Sequence, residues 1–167
     1  MIGHLGLGSN LGDRRAQLQR AVDALAARAV VVRASSSVYE TAPVGEVRDQ
    51  PAFLNACVSV ATELEPEALL DAAKAVEREL GRDVHGSIRH GPRSIDVDLL
   101  LLGDREYASA RLRVPHPELE RRRFVLVPLL ELDFELRTPD GTRLADVLAA
   151  MPVEDGVRRH GPALRTP

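Results

Sequence analysis

Residues 95–102 read Ile-Asp-Val-Asp-Leu-Leu-Leu-Leu and are closed by the turn-forming pair Gly103-Asp104. The stretch is too short for a typical helix and apolar enough for a strand in the centre of a sheet. Side chains two residues apart in a strand share a face, at a separation of about 6.6 Å. The sequence therefore predicts a central strand with the carboxylates of Asp96 and Asp98 on one face.

A pair of carboxylates in an apolar strand calls for a counter-charge. Burial and mutual repulsion both disfavour their ionised forms. Hard oxygen ligands at this spacing suit one or two Mg²⁺ ions, which keep positions for water and substrate phosphates. The alternative is a solvated edge strand whose aspartates pair with arginines.

Basic residues flank this strand on both sides in the sequence. Arg-His-Gly-Pro-Arg occupies residues 89–93, and Arg111, Arg113, His116 and residues 121–123 follow the strand. Guanidinium groups bind phosphate oxygens bidentately, which favours a nucleotide polyphosphate as ligand. The P-loop motif is absent, and the glycines near the N-terminus have the wrong spacing for a dinucleotide fingerprint.

Outside this strand, the patterns predict strands and helices in an irregular order, which indicates an α+β protein with a largely antiparallel sheet covered by helices. We expect strands at 2–7, 30–36 and 53–62, with a strand-like stretch at 135–138 and short elements of unassigned type at 111–114 and 124–132. We expect helices at 14–28, capped by Asp13, at 66–80 and at 144–151, with a helical turn at 117–122. Long loops are expected at 39–50 and 82–94.

The composition is that of one globular domain. The chain has 167 residues, a net charge of −3 and five aromatic side chains, which disfavours nucleic acid as a partner. Its single cysteine, Cys57, fits a reducing compartment. No signal peptide or membrane-spanning run is evident, so we expect a cytoplasmic protein without a membrane partner.

Four motifs together resemble the 6-hydroxymethyl-7,8-dihydropterin pyrophosphokinase family over about residues 2–148. They are Gly-Ser-Asn-Leu at 8–11, Gln-Pro-Ala-Phe-Leu-Asn at 50–55, Gly-Pro-Arg-Ser-Ile-Asp-Val-Asp at 91–98, and Val-Pro-His at 114–116 with Arg122 and Phe124. The resemblance implies a ferredoxin-like αβα fold. It also implies transfer of pyrophosphate from ATP to the pterin hydroxymethyl group, with release of AMP, in folate biosynthesis.

The resemblance further implies the residues of the site. Asp96 and Asp98 would bind two Mg²⁺ ions, and Arg82 and Arg93 would act with them in catalysis. The nucleotide would contact Lys74, Glu77, Arg82, Arg93, Leu99, Arg111, Leu112, Arg113, His116 and Arg122. The pterin would lie between Phe53 and Phe124, with Asn55 and the segment Thr41, Ala42, Pro43 and Val44 at its hydrogen-bonding edge.

Residues 1–151 would then form a single pyrophosphokinase domain, acting as a monomer on small-molecule substrates, with a loosely attached tail at 152–167. Two other functions are open to the same residues. One is a different two-metal nucleotidyl or phosphodiester enzyme, which would act without pterin. The other is a regulatory domain that binds nucleotide and releases no AMP.

Overall fold

The computed structural model describes residues 1–43, 49–81, 94–153 and 156–167. The described strands are β1 (Ile2–Ser9), β2 (Val31–Ser35), β3 (Val38–Thr41), β4 (Phe53–Ala61), β5 (Asp96–Leu102), β6 (Tyr107–Ala108), β7 (Arg113–Val114) and β8 (Val157–Gly161). The helices are α1 (Arg14–Ala26), α2 (Pro66–Glu79), α3 (Arg123–Leu132) and α4 (Leu144–Ala150), with a 3-10 turn at Leu119–Arg121. None of the helices described is long and apolar enough to cross a membrane.

The main sheet has the strand order β5-β1-β4-β3-β8, and β2 also pairs with β4. Every pairing between its strands is antiparallel. A separate two-stranded ribbon joins β6 to β7. The acidic strand β5 lies at one end of this order, where it pairs only with β1 among the described strands, and β1 lies beside β4. The prediction of a central strand was therefore wrong. The apolar side chains of β5 are buried because helices pack on both faces of the sheet, and not because strands flank it on both sides.

Helices cover both faces of the sheet because its strands alternate two sets of apolar side chains. On one face, Leu5, Leu7 and Val58 pack with α1 and α2 in the larger core. On the other face, Cys57 and Leu100 pack with α3 and α4 in a smaller core. This confirms the α+β fold with ferredoxin-like αβα layers.

Local signals explain where the first two helices begin. The Asp13 side chain accepts a hydrogen bond from the Ala16 amide at 3.1 Å, as an N-cap does. Pro66 occupies the first turn of α2, and Glu67 adds negative charge at that end. Both starts agree with the sequence prediction.

Two predicted elements were wrong. Val38–Thr41 forms β3 inside the predicted loop 39–50, because β4 and β8 pair with it on either side. Residues 135–138 form no strand; only an isolated bridge joins Arg137 to Arg143. Most of the predicted loop 82–94 lies outside the described residues.

The prediction of a loosely attached tail was also wrong for residues 156–167. Val157–Gly161 forms β8 on the outer edge of β3. Leu164 is buried in the larger core, and its amide donates a hydrogen bond to Ser35 Oγ. Backbone pairing with β3 and the buried Leu164 hold this segment to the sheet. The composition of the segment, rich in Pro, Gly and Arg, did not indicate either contact.

Candidate functional site

The register of β5, β1 and β4 places the acidic pair opposite two glycines. Asp98 pairs with Gly6, and Asp96 pairs with Gly8. On its other side, Gly8 pairs with Asn55. Directly opposed residues of an antiparallel pair share a face, so these side chains point to the same side of the sheet. Because the two glycines have no side chain, a trough separates the carboxylates from β4.

This trough is the floor of a cavity of about 380 Å³. It is lined by residues from β1, β3, β4, β5, α2, α3 and the segment between β7 and α3. The lining residues are Gly6, Leu7, Gly8, Thr41, Ala42, Phe53, Asn55, Ala56, Cys57, Lys74, Asp96, Asp98, Leu100, His116, Pro117, Glu118, Arg122, Phe124 and Val125.

Gly8 sets the width of the cavity beside Asn55. A Cβ atom at residue 8 would lie 2.9 Å from Asn55 Oδ1, closer than real Cβ contacts. The Asn55 amide is itself held, because its Nδ2 donates to Thr41 Oγ1 at 2.6 Å. Glycine at residue 8 therefore lets an oriented carboxamide face the cavity.

Two aromatic rings line the same cavity as Asn55. Phe53 begins β4, and Phe124 lies in the first turn of α3. The Arg122 guanidinium lies 5.8 Å from the centroid of the Phe124 ring. A flat heteroaromatic ligand gains from contact with such rings, and a carboxamide supplies a donor and an acceptor to its edge.

The carboxylates at the opposite side are electrostatically coupled. Burial, then the negative charges of Asp96 and Glu77, raise the pKa of Asp98 to about 7, against the opposing effect of Lys74 and Arg122. The pair therefore holds less negative charge without a cation than two free carboxylates would. A divalent cation would favour full ionisation.

Helix α2 is joined to the acidic strand through a buried carboxylate. Glu77 is 1% exposed, and its Oε1 accepts the Val97 amide at 2.8 Å. Lys74 Nζ donates to both oxygens of Glu77, at 3.0 and 3.1 Å. This arrangement fixes the Lys74 ammonium at the cavity wall.

His116 is held beside the same strand. Its amide donates to the Leu100 carbonyl at 2.9 Å, and its ring Nδ1 accepts the Glu118 amide at 3.1 Å. The neutral ring therefore carries its proton on Nε2. Burial and the charge of Arg122 lower the pKa of His116, which favours this neutral form.

The donor set fits a hard cation bound together with substrate. Among the residues described, no group of three or more His, Cys, Asp or Glu side chains could enclose a metal. Two aspartates on one face supply carboxylate oxygens and leave positions for water and phosphate oxygens. Mg²⁺ is bound in this way in phosphoryl-transfer sites.

The structure brings together ten of the predicted site residues at the cavity: Thr41, Ala42, Phe53, Asn55, Lys74, Asp96, Asp98, His116, Arg122 and Phe124. Arg82, Arg93 and Val44 lie outside the described residues. The others, Pro43, Glu77, Leu99, Arg111, Leu112 and Arg113, are not part of the lining. Of these, Arg111 is bound to Glu67 and Asp71 on α2.

Several lining residues were not found from the sequence. Gly6 and Gly8 act through the absence of a side chain, so only the strand register reveals them. Cys57, Leu100 and Val125 belong to the smaller core beneath the cavity. Glu118 lies two residues after His116, and this closeness was the signal that could have identified it; in the structure its backbone amide donates to His116 Nδ1.

Comparison with known proteins gives one consistent family. The family described as 7,8-dihydro-6-hydroxymethylpterin-pyrophosphokinase (HPPK) matches residues 4–134. A 2-amino-4-hydroxy-6-hydroxymethyldihydropteridine pyrophosphokinase of Pseudomonas aeruginosa is 43% identical over 93% of this chain and 94% of its own. The protein of that name in Bacillus subtilis is 45% identical over 78% of this chain and 77% of its own.

Solved structures agree on the fold. The chain is similar to a Plasmodium falciparum HPPK-DHPS structure with a TM-score of 0.73 and 15% identity, covering 95% of this chain. The chain spans 48% of that bifunctional protein. It also covers 23% of a mitochondrial folate synthesis bifunctional protein of Arabidopsis thaliana, at 43% identity.

Proposed function

The chain belongs to the 7,8-dihydro-6-hydroxymethylpterin-pyrophosphokinase family, and on this premise we propose that the cavity beside Asp96 and Asp98 is its active site. Members of the family transfer pyrophosphate from ATP to the hydroxymethyl group of 6-hydroxymethyl-7,8-dihydropterin, and this chain is such a diphosphokinase of folate biosynthesis. The observation that carries the assignment is that a carboxylate pair, an oriented carboxamide and two aromatic rings line one cavity.

The pterin would occupy the side of the cavity formed by β3 and β4. Its flat ring would lie between Phe53 and Phe124, where stacking favours a heteroaromatic ligand. Asn55, oriented by Thr41, would bind the pyrimidinone-like edge through its amide. The segment Ala42, Pro43 and Val44 would continue this edge.

The triphosphate would occupy the side formed by β5, α2 and the segment before α3. His116 would donate from Nε2, while Arg122 and Lys74 would place positive charge against the phosphate oxygens. Glu77 would hold Lys74 in position. Arg82 and Arg93 would add charge, and Leu99, Arg111, Leu112 and Arg113 would meet the nucleoside end.

Asp96 and Asp98 would hold the Mg²⁺ ions, two by the family's pattern. When bound, the ions neutralise the charge on the phosphates and orient them. The two aspartates and the cationic side chains keep ATP in line with the pterin hydroxyl. That hydroxyl oxygen bonds to the β-phosphorus as the bond from this phosphorus to the oxygen bridging to the α-phosphate breaks. AMP leaves with the bridging oxygen, and the hydroxyl proton is released to water. Catalysis is then mainly positioning and charge neutralisation.

An assay of AMP formation tests the proposed function. The protein is incubated with ATP and Mg²⁺, with and without 6-hydroxymethyl-7,8-dihydropterin. We expect AMP only when the pterin is present. Products formed without pterin would indicate the other two-metal enzyme, and nucleotide binding without AMP release would indicate the regulatory domain.

Two further proposals concern the protein in the cell. The lone cysteine, Cys57, is buried as a free thiol, which supports a reducing compartment such as the cytoplasm; cell fractionation tests this. We also propose that the protein acts as a monomer, because the residues proposed to bind the two substrates all belong to one chain. Sedimentation velocity would test the monomeric state.

A further inference from the structure

The C-terminal segment, residues 156–165, runs along the outer edge of the sheet and ends on α1. Its β8 portion pairs with β3, with Val157 opposite Thr41 and Arg158 opposite Glu40. One more bond extends this pairing towards the cavity, because the Ala42 amide donates to the Gly156 carbonyl at 3.2 Å. The segment thus begins directly beside two residues that line the cavity.

The far end of the same segment is anchored by side chains of α1. Arg15 donates to the carbonyls of Pro162 and Ala163 at 3.0 and 3.3 Å. Gln19 and Arg165 exchange two bonds of 2.9 Å, one in each direction. Between these contacts, Leu164 is 4% exposed in the larger core. The segment is therefore clamped and does not rest loosely on the surface.

Without this segment, β3 would become an edge strand of four residues. A short edge strand has unpaired backbone groups and little to fix its conformation. Thr41 is the last residue of β3, and its hydroxyl accepts the bond that orients Asn55. Disorder at Thr41 would therefore also change the orientation of the Asn55 carboxamide.

We propose that the C-terminal segment positions Thr41 and Ala42, and through Thr41 the Asn55 carboxamide, for pterin binding. This inference rests on the proposed function of the cavity. The segment lies outside residues 4–134 that match the family. Its described hydrogen bonds are with β3, Ala42, α1, Ser35 and Ser37, and none is with Lys74, His116 or Arg122. We therefore expect it to act on the pterin side alone. Its residues are positioning residues and touch neither substrate.

A chain ending at Val153 tests the inference through the Michaelis constants of the two substrates. We expect the KM for pterin to rise about tenfold, with the KM for ATP within about twofold of the full chain. Exchange of the Ala42 amide with solvent should become faster in the shortened chain. An unchanged KM for pterin, or an equal rise in both constants, would overturn the inference.

A second variant, Arg15→Ala with Gln19→Ala, releases only the far end and keeps β8. We expect its KM for pterin to rise in the same direction, by about threefold, so it decides the question if the shortened chain does not fold. The matched control is Leu148→Ala, which removes a partly buried side chain of α4. It should lower the unfolding temperature and leave the ratio of the two Michaelis constants unchanged.

A double-mutant cycle tests whether the C-terminal segment affects pterin binding through Thr41. Thr41→Val removes the hydroxyl that Asn55 contacts and keeps the volume. If the segment acts through Thr41, the shortening should raise the KM for pterin by less than about twofold in the Thr41→Val background. Additive effects would contradict that route. Absence of pterin-dependent AMP in the full chain would contradict the proposed function instead.

Discussion

At the scale of single residues, Gly8 determines how close Asn55 can come to the cavity floor. A Cβ atom there would force Asn55 Oδ1 to move, and the bond to Thr41 would be lost. We predict that Gly8→Ala raises the KM for pterin about tenfold and leaves the KM for ATP nearly unchanged. In an Asn55→Ala background the same change should add little, because the clashing oxygen is gone. Equal effects in both backgrounds would refute this explanation.

Phe124 gives a second prediction at this scale. Its ring is one of two that line the cavity, so Phe124→Ala removes an aromatic contact worth about 1 kcal/mol as well as apolar area. We predict that the dissociation constant for pterin rises at least about tenfold by calorimetry. Phe124→Tyr, which keeps the ring, should stay near the wild-type value. Unaltered affinity in Phe124→Ala would exclude the ring from the pterin site.

The sequence alone identified the residues that act through the functional groups of their side chains. Asp96 and Asp98 were predicted from strand alternation, and Phe53 and Asn55 from a motif. The roles of Gly6 and Gly8 could not be predicted, because each role depends on which residues of β4 and β5 lie opposite the glycine. Strand register is set by long-range pairing that a local pattern does not contain.

At the scale of secondary-structure elements, the contact between α2 and β5 depends on Glu77. Replacing it with Leu would leave the Val97 amide and the Lys74 ammonium without this carboxylate. We predict that Glu77→Leu lowers the free energy of unfolding by about 2 kcal/mol in urea titrations without ligand. The control is Glu79→Leu on the same helix, whose partly exposed pair with Arg28 is worth less than about 1 kcal/mol. Equal losses in both variants would contradict this role.

Elements with a local signal were predicted, and elements without one were missed. The caps and apolar stripes of α1 and α2 lie within single stretches of sequence. In contrast, β3 has only four residues, and β8 consists mostly of charged and polar residues. Each of the two is a strand because a distant partner pairs with it, so no local period could reveal it.

At the scale of the whole molecule, Glu131 connects α3 to β3 and makes stability depend on pH. Burial alone would raise its pKa, but hydrogen bonds from Tyr39 and Ser37 outweigh burial and lower the pKa below its ordinary value of 4.5. The folded state therefore binds this proton less readily than the unfolded state. The resulting stability is present above pH 4.5 and is lost as the pH falls through the folded pKa.

We predict that the difference in unfolding temperature between the wild type and Glu131→Gln shrinks as the pH is lowered from 6 to 3. The variant serves as the control because its side chain does not titrate, so the shared effects of other carboxyl groups cancel. A difference that stays constant over this range would show that the ionised form of Glu131 does not stabilise the fold.

The proposed role of the carboxylate pair of β5 is to hold the Mg²⁺ ions that the transfer in this cavity requires. The most direct measurement is pterin-dependent AMP formation by Asp96→Ala and Asp98→Ala, with pterin affinity measured in parallel by calorimetry. If Asp96 and Asp98 bind the metal as proposed, loss of one carboxylate should lower kcat by about three orders of magnitude, equivalent to about 4 kcal/mol in the barrier. We predict this loss, with pterin affinity within about threefold of the wild type. Undiminished AMP formation in either variant would contradict it.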